Sequence, residues 1–462
     1  MNLPLVAIIG RPNVGKSTLF NALVGKNMSI VSPESGTTRD RIIERVEWQG
    51  HAFNFVDTGG VDFNDDGAFN VHIKEQVDIA IDLADVVVFV TSGEGGVPNP
   101  TDHDIANMLR RYKKKIVLAV NKLDNRDRAN ETLSEFYRLK IGEPMAISCT
   151  QRMGLGDLLD AIIDNAYPDR EKLPKSKKDR KAKDDIRQEV MSKEEEWPPK
   201  VAIIGRPNAG KSSIVNKLLG ENRVMVSDHA GTTRDTIDCI IKHNGREYVL
   251  TDTAGIRRKR SIEVQTVEHY SVLRALAAIR RSDVVVLVVD AIEGLTEQDV
   301  RLIGYAHEEG KPSVVVINKW DLVEKDNHTM NEFGRKIAID LAFMSYFKAI
   351  YISAKTGQRM GELMKAIESV LERAKTRITT GQLNTLLNGF IAVTPPPGHS
   401  GKRPKFLYYT QVGINPPTFA LFVNDKTIIK TSYLRYLENS LRKSIDLTGT
   451  PIRFLLRNRE DK

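Results

Sequence analysis

Gly10-Arg11-Pro12-Asn13-Val14-Gly15-Lys16-Ser17 follows directly on the apolar run Leu5 to Ile9 and matches the phosphate-loop pattern G-x-x-x-x-G-K-[ST]. The arrangement reads as strand, loop, helix. Glycines let backbone N–H groups approach a densely charged phosphate, and the start of a helix adds a dipole that favours the anion. Lys16 contributes a point charge, and Ser17 a hydroxyl for a magnesium ion bridging the outer two phosphates. The same words return as Gly205-Arg206-Pro207-Asn208-Ala209-Gly210-Lys211-Ser212, again behind an apolar run, Val201 to Ile204. Two nucleotide sites are therefore expected, with Lys211 and Ser212 in the roles of Lys16 and Ser17.

A chain of 462 residues is too long for one hydrophobic core, and at roughly 150 residues per domain about three domains are expected. Hydrophobic residues at 41% and charged residues at 28% are the balance of a soluble globular protein. No apolar stretch approaches the roughly 20 residues of a membrane span, and the opening run enters the phosphate loop without a basic flank or cleavage site. Cys149 and Cys239 lie far apart and offer neither a disulfide framework nor a C-x-x-C metal spacing, which fits a reducing cytoplasm. The net charge of +8 is concentrated: from Arg377 onward there are 13 Lys and Arg against 5 Asp and Glu. That surplus points to an anionic partner for the C-terminal part, nucleic acid before membrane.

Both repeats alternate strand-like and helix-like segments, which predicts α/β domains with a mostly parallel sheet and helices on both faces. In each, one early pair is joined by a turn too short for a parallel crossover, at Gln49-Gly50 and at Asn244-Gly245, so those pairs are expected to be antiparallel. The divisions are residues 1–168, a charged linker at 169–198, residues 199–376, and a small α+β module at 377–462. The linker holds the run KLPKSKKDRKAK and ends near Trp197-Pro198-Pro199. The module reads αββαβ, with a helix over Leu383 to Ile391 and Phe406, Tyr408, Tyr409, Phe419 and Phe422 on its first two strands. Alternation sends most of these rings to the core and leaves one or two for RNA bases.

Further stations lie beyond each phosphate loop. Thr38 and Thr233, in the two GTTRD strings, supply hydroxyls that can sense magnesium and the terminal phosphate. Asp57-Thr58-Gly59-Gly60 and Asp252-Thr253-Ala254-Gly255 each offer a carboxylate toward the metal and a backbone N–H, at Gly60 and Gly255, beside the terminal phosphate. Asn121-Lys122-Leu123-Asp124 and Asn318-Lys319-Trp320-Asp321 follow apolar strands, where ligands sit in open α/β sheets. The Asp124 and Asp321 carboxylates can accept from guanine N1–H and its exocyclic amine, a donor pair adenine lacks, so guanine is expected. Ser353-Ala354-Lys355 ends the last strand of the second repeat and can present a backbone amide to the guanine carbonyl; the first repeat has Ser148-Cys149-Thr150 there. The first three stations keep one offset of 195 residues (10 to 205, 37 to 232, 57 to 252).

These motifs, in this order and twice over, resemble translation-factor-like GTPases. Two such domains followed by a basic αββαβ module resemble the Der (EngA) family of bacterial ribosome-assembly GTPases, over essentially the whole chain. The resemblance implies two tandem P-loop GTPase domains and a C-terminal KH-like domain. It also implies hydrolysis of GTP to GDP and phosphate, magnesium at Ser17, Thr38, Ser212 and Thr233, and a cytoplasmic monomer that binds the large ribosomal subunit and its rRNA. Ras-like enzymes place a Gln directly after D-x-x-G, but Val61 and Ile256 stand there and cannot hydrogen-bond water. By resemblance, Asn13 and Asn208 match a position that helps hold a stimulating potassium ion; the alternative is that they brace the loop.

Two further strings each carry two readings. Gly398-His399-Ser400-Gly401 spells G-x-x-G but follows a proline run rather than joining helices, which favours a connector. Arg257-Arg258-Lys259-Arg260 is either a solvated face or a relay of nucleotide state to RNA or to the C-terminal module. The alternatives to an assembly switch are an RNA scaffold with little turnover and a GTPase of tRNA modification, for which no separate catalytic module remains.

Overall fold

The computed structural model describes residues 3–24, 43–49, 51–57, 71–124, 126–168, 198–221, 238–251, 264–324, 326, 328–398 and 403–458. The first domain runs β1 (Leu5–Ile9), α1 (Lys16–Val24), β2 (Ile43–Trp48), β3 (His51–Asp57), α2 (Val71–Leu83), β4 (Val86–Ser92), α3 (Pro100–Leu109), β5 (Lys115–Asn121), α4 (Arg126–Phe136), β6 (Pro144–Ala146) and α5 (Leu155–Ala166). Its sheet is ordered β2-β3-β1-β4-β5-β6. All pairs are parallel except β2 with β3, where Ile43 faces Val56 and Trp48 faces His51.

Successive residues of β1 enter different cores. Val6 and Ile8 pack with Leu19, Leu23, Leu158 and Ile162 on the α1 and α5 side, while Ala7 and Ile9 pack with Ile81, Ile105 and Leu109 on the α2 and α3 side. A strand covered on both faces cannot alternate with polar residues, so Val86–Ser92 reads as a continuous Val-rich run and is buried throughout.

The second domain repeats the plan: β7 (Lys200–Ile204), α6 (Lys211–Glu221), β8 (Cys239–His243), β9 (Arg246–Thr251), α7 (Val264–Arg281), β10 (Val284–Asp290), α8 (Glu297–Glu308), β11 (Ser313–Asn318), α9 (Thr329–Asp340), β12 (Lys348–Tyr351) and α10 (Met360–Ala374). Its sheet order, β8-β9-β7-β10-β11-β12, matches the first. The hairpin turn at Asn244-Gly245 has both residues at positive φ, 49° and 78°, the backbone that suits a two-residue connection between twisted strands.

The last module contains α11 (Thr380–Val393), β13 (Phe406–Gly413), β14 (Thr418–Val423), α12 (Thr431–Ser444) and β15 (Arg453–Asn458). Helix α11 begins earlier than apolar periodicity predicts, because Thr379 and Gln382 form a reciprocal capping box that starts it. β14 pairs antiparallel with β13 and parallel with β15. Tyr409, Phe419, Leu421, Tyr433, Leu437 and Leu441 fill the core between this sheet and the two helices.

The chain divides into two compact units, residues 1–197 with 261–277, and residues 198–260 with 278–462. Within the second, the C-terminal module is seated on the sheet domain. Ser313 N donates to Gly449 O at 2.7 Å, Gly449 N to Tyr346 O at 2.6 Å, and Asn415 N to Ala374 O at 2.8 Å. Arg373 pairs with Asp446, Arg453 donates to the Glu308 carbonyl, and the Arg442 guanidinium lies 4.1 Å from the centre of the Tyr346 ring.

Candidate guanine-nucleotide sites

The phosphate loops leave the ends of β1 and β7, strands whose neighbours on either side come from opposite directions along the chain; this is the switch point where open α/β sheets hold ligands. Gly10 and Gly205 pass so close to the carbonyls of Val90 and Val288 that a Cβ would overlap them. Gly15 and Gly210, at φ 94° and 98°, leave no room for a Cβ against the amide nitrogens of Asn121 and Asn318. Asn13 and Asn208 adopt left-handed backbone, φ 62° and 65°, which Asn tolerates better than most residues. Lys16, 6% exposed, directs its ammonium at the Arg11 carbonyl at 2.9 Å. Lys211 does the same toward Gly205 O and Arg206 O, both at 2.6 Å. Each ammonium thus sits inside the loop it serves.

Asn121 and Asn318 act as clasps. Asn121 Nδ2 donates to Val14 O at 2.8 Å and its Oδ1 accepts from Cys149 N at 3.1 Å. Asn318 repeats both bonds, to Ala209 O at 2.9 Å and from Ala354 N at 3.0 Å. Within the Ser353-Ala354-Lys355 string, the Ala354 amide therefore serves the clasp. The Cys149-Thr150 departure leaves that geometry unchanged, since a backbone amide makes the bond in both copies. Asp124 is exposed and accepts from Ser148 Oγ at 2.6 Å. Lys122 and Lys319, at φ 66° and 62°, pair with Glu94 at 2.8 Å and Asp290 at 2.6 Å. Burial of Asp290 opposes its ionisation, but the hydrogen bonds from Lys319 and the Ile292 N–H, with the charges of Lys319 and Arg206, together outweigh it and hold the carboxyl below its usual range.

Residue-by-residue reading of the motifs missed one pair of anchors. Arg11 Nε lies 3.5 Å from the fully buried Asp102, and Arg206 pairs with Glu293 and reaches Asp299 at 3.9 Å. Asp102 and Asp299 also close capping boxes with Asn99 and Thr296 at the starts of α3 and α8. Burial pushes the Asp102 carboxyl up, while the Asn99 backbone N–H and Arg11 pull the other way. The signal was present in both copies as Asn99…Asp102 and Thr296…Asp299, a capping pattern that reads as helix punctuation.

Among the described residues no group of three or more His, Cys, Asp or Glu side chains could hold a metal. Magnesium fits all the same, because it favours substrate phosphates, water and one or two protein oxygens over a protein cage. Ser17 is exposed in the first turn of α1, and Ser212 is half-buried in that of α6, each one residue past the loop lysine. Asp57 ends β3. Thr38, Thr58, Gly59, Gly60, Val61, Thr233, Asp252, Thr253, Ala254, Gly255 and Ile256 lie outside the described residues, as do Arg257–Arg260 and His399–Gly401.

Two phosphate loops at the switch points of two matching sheets, each clasped to an N-K-x-D strand end, define a tandem P-loop GTPase. Residues 5–122 and 200–319 match the model of a family described as "50S ribosome-binding GTPase". Residues 377–457 match "KH-domain-like of EngA bacterial GTPase enzymes, C-terminal". The chain is 48% identical to GTPase Der of Pelotomaculum thermopropionicum over 99% of both chains. It is 46% identical to GTPase Der of Lachnospira eligens and 47% to that of Desulfitobacterium hafniense, over the full length of each. The chain belongs to the Der family of GTPases.

Proposed function

We propose that this chain hydrolyses GTP at both sites to time the assembly of the large ribosomal subunit, working in the cytoplasm with its C-terminal module on ribosomal RNA. The observation that carries the reading is the seating of a basic, KH-like module and the second nucleotide site in one compact unit. The match to a family described as a 50S ribosome-binding GTPase supports it.

In this reading Asp124 and Asp321 select guanine, and Asn121 and Asn318 hold the phosphate loop against the base-binding turn. Lys16 and Lys211 turn from loop carbonyls to the outer phosphates. Thr38 and Thr233 would close over the terminal phosphate, with the N–H groups of Gly60 and Gly255 beside it, and Asp57 and Asp252 would act through the metal. Ser17 and Ser212 would hold magnesium, which would supply positive charge to the nucleotide's phosphates. Water attacks the terminal phosphorus, the bond from that phosphorus to the bridging oxygen breaks, and GDP and phosphate leave.

With Val61 and Ile256 after the D-x-x-G strings, no side chain there orients water. Asn13 and Asn208 would help hold potassium, whose charge would offset that developing in the transition state. Replacing sodium with potassium is expected to raise the turnover number, and an unchanged rate would reject this part of the reading.

The test of the function is co-sedimentation of the full chain with separated ribosomal subunits in GDP and in a non-hydrolysable GTP analogue. Binding to large subunits that needs the analogue is expected. Binding indifferent to nucleotide would favour an RNA scaffold, and no binding in any state would refute the ribosomal role.

A further inference from the structure

We propose that the open face of the C-terminal sheet is a base-stacking platform for single-stranded RNA, built on the row Tyr408, Phe422 and Arg457. The proposal rests on the reading that this module binds RNA, and it names the surface and the form of RNA recognised. Register places the three side by side: Tyr408 is opposite Phe422 across the antiparallel pair, and Phe422 is opposite Arg457 across the parallel one. Residues paired in register share a face. The Tyr408 and Phe422 rings lie 5.7 Å apart.

The opposite face is committed to the core through Tyr409, Phe419 and Leu421, and the row lies outside that core cluster. Tyr408 is 42% exposed, with Leu407 at 49% and Val412 at 51% on the same strand. Further along the face Arg453 is engaged by the Glu308 carbonyl, which closes that end against the second nucleotide domain and leaves the Tyr408 end open. Cations border the open end: Arg403 and Lys405 are exposed just before β13, and Arg457 is exposed on β15. The carboxylate at that end, Asp425, is turned to its own loop, accepting from Thr427 N at 3.0 Å and Thr427 Oγ1 at 2.6 Å.

Aromatic rings rimmed by cations suit a strand whose bases can be splayed onto them while its phosphates reach the rim. An A-form duplex hides its base faces and would use the cations alone. A second protein would match the apolar residues but not the charge of this module, 13 basic against 5 acidic side chains from Arg377 on.

The test compares the full-length chain with Tyr408→Ala, Tyr408→Trp and Arg457→Gln, using a labelled 12-nucleotide single-stranded RNA and a duplex of the same length. A thermal unfolding midpoint shared with the parent shows that each variant is folded. Tyr408→Ala is expected to weaken single-strand binding on the order of tenfold and to leave duplex binding little changed. Tyr408→Trp retains affinity, and Arg457→Gln lowers the salt slope by about one ion. Equal binding of the single strand by parent and Tyr408→Ala would overturn the platform while leaving RNA binding by the module in place. No binding of either RNA by the parent would overturn both. Unchanged RNA binding with weakened sedimentation on large subunits would make the row a protein contact and overturn the platform as well.

Discussion

Each nucleotide site turns on an Asn whose side chain joins two loops that share no strand pairing. The amide of Asn121 reaches the phosphate loop with its nitrogen and the β6–α5 turn with its oxygen, and Asn318 does the same in the second copy. An Asp could keep the acceptor half but not the donor half, so the residue type follows from the two bonds. Cys149, beside that clasp, is no reactive thiol: burial pushes it up to about 12, with Asn121 pulling weakly the other way. The loop lysines make the residue-scale prediction. Lys16→Ala and Lys211→Ala each delete one phosphate-binding charge, and nucleotide titration of either variant is expected to show one site in place of two. Equal two-site binding in both variants would contradict it.

At the scale of elements, both domains fasten the phosphate loop to the start of the helix that follows the fourth strand of their sheet. The fastening is an Arg in the loop and an Asp that also caps the helix, Arg11 with Asp102 and Arg206 with Asp299. Thr296→Ala removes the side-chain acceptor for Asp299 N and is expected to cost about 1 kcal/mol, measurable by urea unfolding. A shift of the nucleotide affinity at the second site alone would accompany it if the cap also holds Asp299 toward Arg206. The strands of both sheets were legible in the sequence because burial on two faces demands unbroken apolar runs, as in Val284–Asp290. The anchors were not legible as a site, because Arg11 and Asp102 stand 91 positions apart and only the fold brings them to 3.5 Å.

At the scale of the whole molecule, the second nucleotide domain and the C-terminal module share buried groups. Gly449 has φ 76°, and a Cβ there would overlap Val370 and lie 3.1 Å from Ser313 O. Gly449→Ala adds left-handed strain to that overlap, roughly 2–4 kcal/mol in all, and is expected to lower the thermal midpoint of the unit. His307 accepts or donates at 2.6 Å to Tyr346 Oη and is held below its ordinary value of 6.5, first by burial and then by Arg442 and Arg453, with Glu438 opposing. Between that depressed value and 6.5 the unfolded chain binds more protons than the folded one. The contribution of His307 is therefore full above 6.5 and is lost as pH falls through 6.5 toward the lower folded value. Thermal midpoints at pH 7.5 and 5.5 are expected to show a smaller acid loss in His307→Gln than in the parent, and identical losses would reject the assignment.

The sequence by itself determined the duplicated fold, the two phosphate loops, the two N-K-x-D strand ends and the basic C-terminal module. These are local patterns: each motif spans a few residues, and the apolar runs around it carry the periodicity of their element. Only the tertiary structure decided which side chains meet across long separations. It set Asn121 on Val14 and Cys149, Arg11 on Asp102, His307 on Tyr346, and Tyr408 beside Phe422 rather than in the core. Such meetings depend on strand order, register and the faces that helices cover, none of which is encoded within reach of the residues concerned.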